Sequence, residues 1–158
     1  MAYLTGADTS QPSSGCVFCA KVGAPDASEH VLYRGQFAFI TLNRYPYNNG
    51  HLMIIPYAHV ASLENLDPPT LTELMLLTNR GLAALRQAYH PDGFNIGVNL
   101  GHAAGAGIAD HVHIHIVPRW SADTNFMPIV GDTRVIPETL DQTYSRLRPC
   151  FDTSSQSG

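Results

Sequence analysis

The stretch ADHVHIHIVPRW, residues 109–120, alternates polar and apolar side chains with a period of two. Val112, Ile114, Ile116 and Val117 are β-branched, and Pro118 closes the run. That pattern predicts a half-buried strand. Side chains on a strand point to opposite faces in turn, so His111, His113 and His115 share one face, roughly 6–7 Å apart. A solvated strand face is usually built from Thr, Lys, Glu or Ser. Three imidazoles offer instead groups that titrate near neutrality, metal ligands and a nucleophile.

The rest of the chain supplies the sheet that such a strand needs. VLYRGQFAFITLN predicts a short strand, a turn at Arg34–Gln36 and a second strand at Phe37–Thr41. A turn at Asn48–Gly50 leads into HLMIIP, a buried strand ended by Pro56. Asp67 followed by Pro68 reads as an N-cap with proline in the first turn. Leu71, Leu74, Met75, Leu82, Leu85 and Tyr89 then recur at helical spacing, predicting a helix of about five turns. Phe94, Ile96 and Val98 alternate in another strand, and Pro137 to Leu147 reads as a C-terminal helix. Strands joined by tight turns, with one long helix between them, indicate an antiparallel α+β domain.

With 158 residues and 44% apolar side chains, one domain with a sizeable core is expected, over residues 15–148. The Ser/Thr/Gly/Pro-rich start, residues 1–14, and the tail, residues 149–158, are expected to be disordered. A net charge of −4, with no Lys/Arg cluster, argues against a nucleic-acid surface. No apolar run reaches transmembrane length, and MAYLTGADTSQPSSG lacks the build of a signal peptide; a cytoplasmic protein with no membrane partner is the default. Three cysteines do not make a disulfide framework.

His111-Val-His113-Ile-His115-Ile-Val resembles the signature of the histidine triad (HIT) family. The likeness extends to LNRYPYNNGHLMIIPYAHV, similar to the family's segment in which an Asn or Asp precedes a Gly-His strand, and to CVFC, its frequent N-terminal Cys-x-x-Cys. VPRWSADTNFMPIVGDTRVIPETL is similar to the C-terminal region of the bacterial diadenosine tetraphosphate phosphorylase branch. The resemblance implies a HIT-like fold, a homodimer, and cleavage of dinucleoside polyphosphates at the α-phosphate, with water or phosphate as acceptor. It calls for no organic cofactor. The alternative is a nucleotide-binding regulatory protein or purine-nucleotide phosphoramidase with little turnover of such substrates.

Chemistry asks for these residue types in its own right. A covalent nucleotidyl-histidine divides one hard displacement into two easier ones, and a neutral imidazole is nucleophilic near pH 7. His113, flanked by His111 and His115, is the expected attacker. His115 would steady the transferring phosphate and His51 could add a donor, unless it is a satisfied strand histidine. In NLGHAAGAGIAD, Gly105 and Gly107 could let backbone amides wrap an anion, or form a plain turn. The resemblance places Asn99 on the phosphate chain and Asn43 on a ribose. Phe37, Phe39 and Met53 are candidates for the base pocket or ordinary core. Gly107 and Ile108 stand where the family's hydrolases commonly carry Gln and then Ser or Thr, so backbone amides, or Trp120 and its neighbours, must replace that hydroxyl, or the leaving-group preference differs. Arg119 is either a grip for a second phosphate or a surface salt bridge.

Cys16 and Cys19 admit three readings. A thioredoxin-like pair would need a βαβ setting, which is missing. Two unconnected buried thiols are possible. Half of a Cys₂His₂ zinc site is the third, and the resemblance supplies His59 and His111 as its other ligands. Cys150 stands apart from all of these.

Overall fold

The computed structural model describes residues 15–124 and 137–153. Its strands are β1 (Val31–Arg34), β2 (Ala38–Leu42), β3 (Leu52–Pro56), β4 (Gly93–Gly97) and β5 (Ile114–Arg119). They form one antiparallel sheet in the order β1-β2-β3-β5-β4. Four helices surround it: α1 (Val17–Val22), α2 (Asp26–Glu29), α3 (Pro68–Tyr89) and α4 (Leu140–Thr153). The α+β architecture is the one the strand and helix patterns predict. No helix among the described residues is long and apolar enough to cross a membrane.

The sheet is apolar on both faces. Ala38, Ile40, Leu42, Leu52, Ile54, Ile114 and Ile116 face α3 and α4, meeting Leu74, Leu77, Leu85, Leu147 and Phe151. Phe39, Met53 and Ile55 turn the other way, against Phe18 of α1. Side-chain alternation in the paired strands enforces this division. The second face is the one that carries the histidines.

Asp67 caps α3 by accepting the Thr70 N–H at 3.0 Å. The helix ends at His90, whose left-handed backbone (φ 49°) precedes Pro91. Its buried stripe is Thr70, Leu74, Leu77, Thr78, Gly81, Ala84 and Leu85, and of the expected set Leu74 and Leu85 are among them while Leu82 and Tyr89 pack at the edge of the same core. Leu71 and Met75 are 36% and 58% exposed, because at 100° per residue they lie roughly 80° and 120° around the helix from the stripe's centre. Gly81 lets the helix approach the sheet: a Cβ there would meet Ile116 and Leu52 at 3.1 and 3.2 Å. Glu73, on the same helix, accepts the backbone N–H groups of Gln36, Phe37 and Ala38 at 3.1, 2.5 and 2.7 Å. It ties the β1–β2 turn to α3.

Three expectations are corrected. The second strand is Ala38–Leu42, one residue later than the expected Phe37–Thr41. The C-terminal helix runs over Leu140–Thr153 instead of Pro137–Leu147, so residues 149–153 are helical and not tail. A capping box begins it: Gln142 N–H donates to Thr139 Oγ1 and Thr139 N–H to Gln142 Oε1, at 3.1 and 2.9 Å. Pro149 interrupts its hydrogen bonding, yet Leu147, Cys150 and Phe151 are buried, and that burial outweighs the lost bond. Cys150 is thus core. Third, β5 begins only at Ile114, so His111 and His113 precede the ladder. The Val112 N–H is held by the Val60 carbonyl at 2.8 Å, and the His113 ring binds the His111 carbonyl, which turns this backbone away from β3. The expected disorder of residues 1–14 lies outside the described residues, as do residues 154–158.

Candidate functional site

Strand register brings the histidines together. His115 pairs with Met53 on β3 and Gly97 on β4, so these share a face, and His51 lies on it two residues before Met53. His51 is buried and its Nε2 is 2.9 Å from His115 Nδ1. The Tyr47 backbone N–H donates to His51 Nδ1 at 3.2 Å. A backbone amide can only donate, so in the neutral ring the proton of His51 sits on Nε2 and is given to His115 Nδ1, the nearer of the two partners of that atom; Asn43 Nδ2 lies 3.3 Å away. His115 then carries its own proton on Nε2, as a donor.

His113 is set the opposite way. Its Nδ1–H donates to the His111 carbonyl at 2.9 Å, leaving Nε2 with an unprotonated lone pair. Burial keeps these rings neutral. It lowers the pKa of His113, against the carbonyl bond, which raises it. Burial, with help from neighbouring imidazoles, brings His51 and His115 each to about 4. At pH 7 the face therefore offers one imidazole lone pair and, beside it, one imidazole N–H. The His113 and His115 ring centroids are 4.7 Å apart.

Two cavities meet here. One, of about 460 Å³, is lined by His113, His115, Asn43, Asn99, Gly105, Gly107, Ile108 and Met53, with Val17, Phe18 and Lys21 of α1 as its far wall. The other, of about 540 Å³, shares His115, Asn99 and Tyr47 and continues along Asn48, Asn95 and Arg119. The structure thus brings together Asn43, Asn99, Gly105, Gly107, His113 and His115. Arg119 joins only the second cavity and is held by Asp123 at 2.9 Å and Asn95 at 2.6 Å, the salt-bridge alternative. Trp120 lines neither; it faces a separate recess with Tyr89 and Glu138. Phe39 is core, stacked on Tyr57 at 5.5 Å, and Phe37 lines neither cavity. Val17, Phe18, Lys21, Tyr47, Asn48 and Asn95 went unread as site residues. Of these Val17 and Phe18 carried a signal, their place inside the Cys-x-x-Cys.

His111 belongs to a second group and not to the cavities. Its ring is fully buried, Nε2–H donates to the Pro56 carbonyl at 2.8 Å, and Nδ1 faces Cys16, Cys19 and His59. Both nitrogens have partners outside the two cavities, so the structure sets His111 apart from His113 and His115. Donor separations are 3.4 Å (Cys16 Sγ–His111 Nδ1), 3.3 Å (Cys19 Sγ–His59 Nδ1), 3.6 Å (Cys19 Sγ–His111 Nδ1) and 3.3 Å (His59 Nδ1–His111 Nδ1). All four donor atoms lie within 4.8 Å of one another. A tetrahedron of Zn–S and Zn–N bonds has edges of roughly 3.3–3.8 Å, which these four separations match, and the donor types are those zinc takes. The carbonyl behind His111 orients it as a ligand's outer partner does.

Residues 24–122 match the family model of the HIT domain. The chain belongs to the HIT family. It is 45% identical over 113 residues to the AP-4-A phosphorylase of Mycobacterium tuberculosis, which covers 72% of this chain and 58% of that protein. Another HIT-related match, 33% identical over 93 residues, is the asymmetrical bis(5'-nucleosyl)-tetraphosphatase of Schizosaccharomyces pombe, covering 59% of this chain and 50% of that protein. The chain thus spans little more than half the length of these curated relatives. Among solved HIT structures, a zinc-bound histidine triad family protein from Mycobacterium smegmatis superposes with a TM-score of 0.73. It is 29% identical, and the match covers 91% of this chain and 98% of that one.

Proposed function

We propose that this HIT protein transfers a nucleotidyl group from a dinucleoside polyphosphate, such as diadenosine tetraphosphate, to inorganic phosphate. The observation that carries the reading is the pairing of His113 Nδ1 with the His111 carbonyl and of His115 Nδ1 with His51 where two cavities meet, from which opposed tautomers follow. His113 Nε2 attacks the α-phosphorus, an N–P bond forms, and the P–O bond to the rest of the chain breaks. The leaving nucleoside polyphosphate is ionised at neutral pH and needs no proton. The charge left on His113 is shared through Nδ1–H with the His111 carbonyl. His115 Nε2–H steadies the phosphoryl oxygens as charge develops, assisted by the backbone around Gly105 and Gly107. The acceptor then attacks the same phosphorus and frees His113.

The α1-walled cavity suits the transferred nucleotide, with Asn43 on the ribose and Asn99 on the phosphates. The second, lined by amides and by an Arg119 already paired with Asp123, suits a leaving nucleoside better than bare phosphate. Phosphate as acceptor rests on the likeness to the mycobacterial phosphorylase. We assign zinc, as a structural metal, to Cys16, Cys19, His59 and His111. A homodimer belongs to the same reading; the edge strand β4 exposes Ile96.

Diadenosine tetraphosphate incubated with and without phosphate tests the reaction. Phosphorolysis yields ATP and ADP only when phosphate is present. AMP at equal rates in both mixtures would overturn the choice of acceptor, and intact substrate in both would overturn the enzyme reading in favour of a nucleotide-binding protein.

A further inference from the structure

None of the four metal-group side chains lines the cavity that holds His113, yet one residue touches both centres. Phe18 lies between Cys16 and Cys19, is buried, and sets its ring at 5.5 Å and 89° from His111 and at 4.8 Å and 67° from His113. We propose that Phe18 is a positioning residue for His113, and that through it the Cys16–Cys19–His59–His111 group governs the rate of nucleotidyl transfer. The proposal rests on the reading of His113 as nucleophile.

Six residues are too few for α1 to hold itself as a helix. It is fixed from outside at both ends. At the C-terminal end Arg34 collects the carbonyls of Lys21, Val22 and Ala24 at 2.7, 3.1 and 3.0 Å and pairs with Asp26 at 2.7 Å. At the N-terminal end Phe18 packs on Val31, Phe39, Met53 and Ile55, and the Cys16 and Cys19 sulfurs contact His111 and His59; a metal shared by these four donors would tie the contacts together. Loss of the metal therefore loosens the half of α1 that carries Phe18, while Arg34 keeps the other half.

His113 has few other constraints. The bond to the His111 carbonyl fixes Nδ1, and the His115 ring lies against one side. Phe18 contributes a further ring contact. With that contact gone, the imidazole can tilt about its one hydrogen bond and carry Nε2 off the line of attack. A displacement on the order of 1 Å at a reacting atom is enough to cost about a hundredfold in rate. Phe18 is also part of the cavity wall, but Leu at this position would keep that wall apolar and filled. Affinity and rate then separate.

The test compares wild type and Phe18→Leu, each loaded with zinc and stripped by a chelator, with metal content, AMP affinity and single-turnover rate measured. Loaded Phe18→Leu should keep its zinc and bind AMP within about threefold of wild type, while its rate falls on the order of tenfold. Stripping should slow wild type by a similar factor and the variant by no more than about twofold, because both changes break one link. A loaded variant within twofold of wild type, or one slowed by stripping as much as wild type, overturns the proposal. A readout free of activity and of the variant's folding is the proton Overhauser effect between the Phe18 and His113 rings in wild type. It should be present with zinc and vanish without it; its persistence in stripped protein overturns the coupling. If wild type turns over no dinucleoside polyphosphate at all, the functional reading fails, and the Overhauser measurement still decides the link.

Discussion

His51 Nε2 sits 2.9 Å from His115 Nδ1, and the bond between them has a fixed polarity because the Tyr47 amide occupies the far side of the His51 ring. The donor that His115 turns to the cavity is therefore set by a backbone amide on a loop two residues past Tyr45. His115→Ala removes that donor and should lower kcat by on the order of 10²–10³. His51→Ala removes only what orients it and should cost about 10–100-fold, with AMP affinity within a few-fold of wild type. The double variant should be no slower than His115→Ala by more than about threefold. Rates that multiply would contradict a single relay.

The buried imidazoles also make stability depend on pH. His51 and His115 titrate near 4 in the folded protein, below the ordinary value of 6.5. Between those values the unfolded chain binds more protons than the native one. Their contribution is fully present above pH 6.5 and is lost as pH falls towards 4. Tm should stay level from pH 8 to 7 and drop between pH 6.5 and 5. In His51→Asn that drop should be shallower. An equal slope in variant and wild type would show that His51 does not report it.

Zinc at the Cys16–Cys19–His59–His111 group predicts close to one zinc per chain in protein purified without added metal. Cys16→Ser or Cys19→Ser should abolish it, and chelation of wild type should lower Tm, since metal affinity is coupled to folding. Protein that is folded, full length and free of metal would refute the assignment.

Glu73 should matter to the fold although it touches no ligand. Its carboxylate takes three backbone N–H groups from the turn before β2, and removing it leaves them unpaired. Glu73→Ala should cost about 2–3 kcal/mol in urea unfolding. A loss under 0.5 kcal/mol would mean that water replaces the carboxylate.

What the sequence revealed and what it hid divide on a physical line. His113 and His115, β3 and the Asp67 cap were legible because each is set by local spacing or local hydrogen bonding. The expected face of α3 held at Leu74, Leu82, Leu85 and Tyr89 but not at Leu71 and Met75, because the helix is apolar over more than half its circumference and only the sheet decides which arc is covered. Glu73 and Tyr47 act through backbone groups distant or anonymous in sequence, so their residue types say nothing of the partner. Trp120 sat close to the histidines along the chain, yet it falls beyond the end of β5 and faces Tyr89. His111 falls with Cys16, Cys19 and His59 and outside the His113 cavity, a division that spacing along one strand does not show.

The central claim is that His113 carries the nucleotide covalently. Diadenosine tetraphosphate labelled at the α-phosphate, mixed with enzyme in excess, quenched in alkali to preserve a P–N bond and mapped by mass spectrometry after digestion, measures it directly. The account predicts AMP on His113 within the first turnover, discharged by added phosphate, and none on His113→Asn, which should still bind AMP. Turnover without a label on His113, or a His113→Asn variant active within a few-fold of wild type, would contradict it.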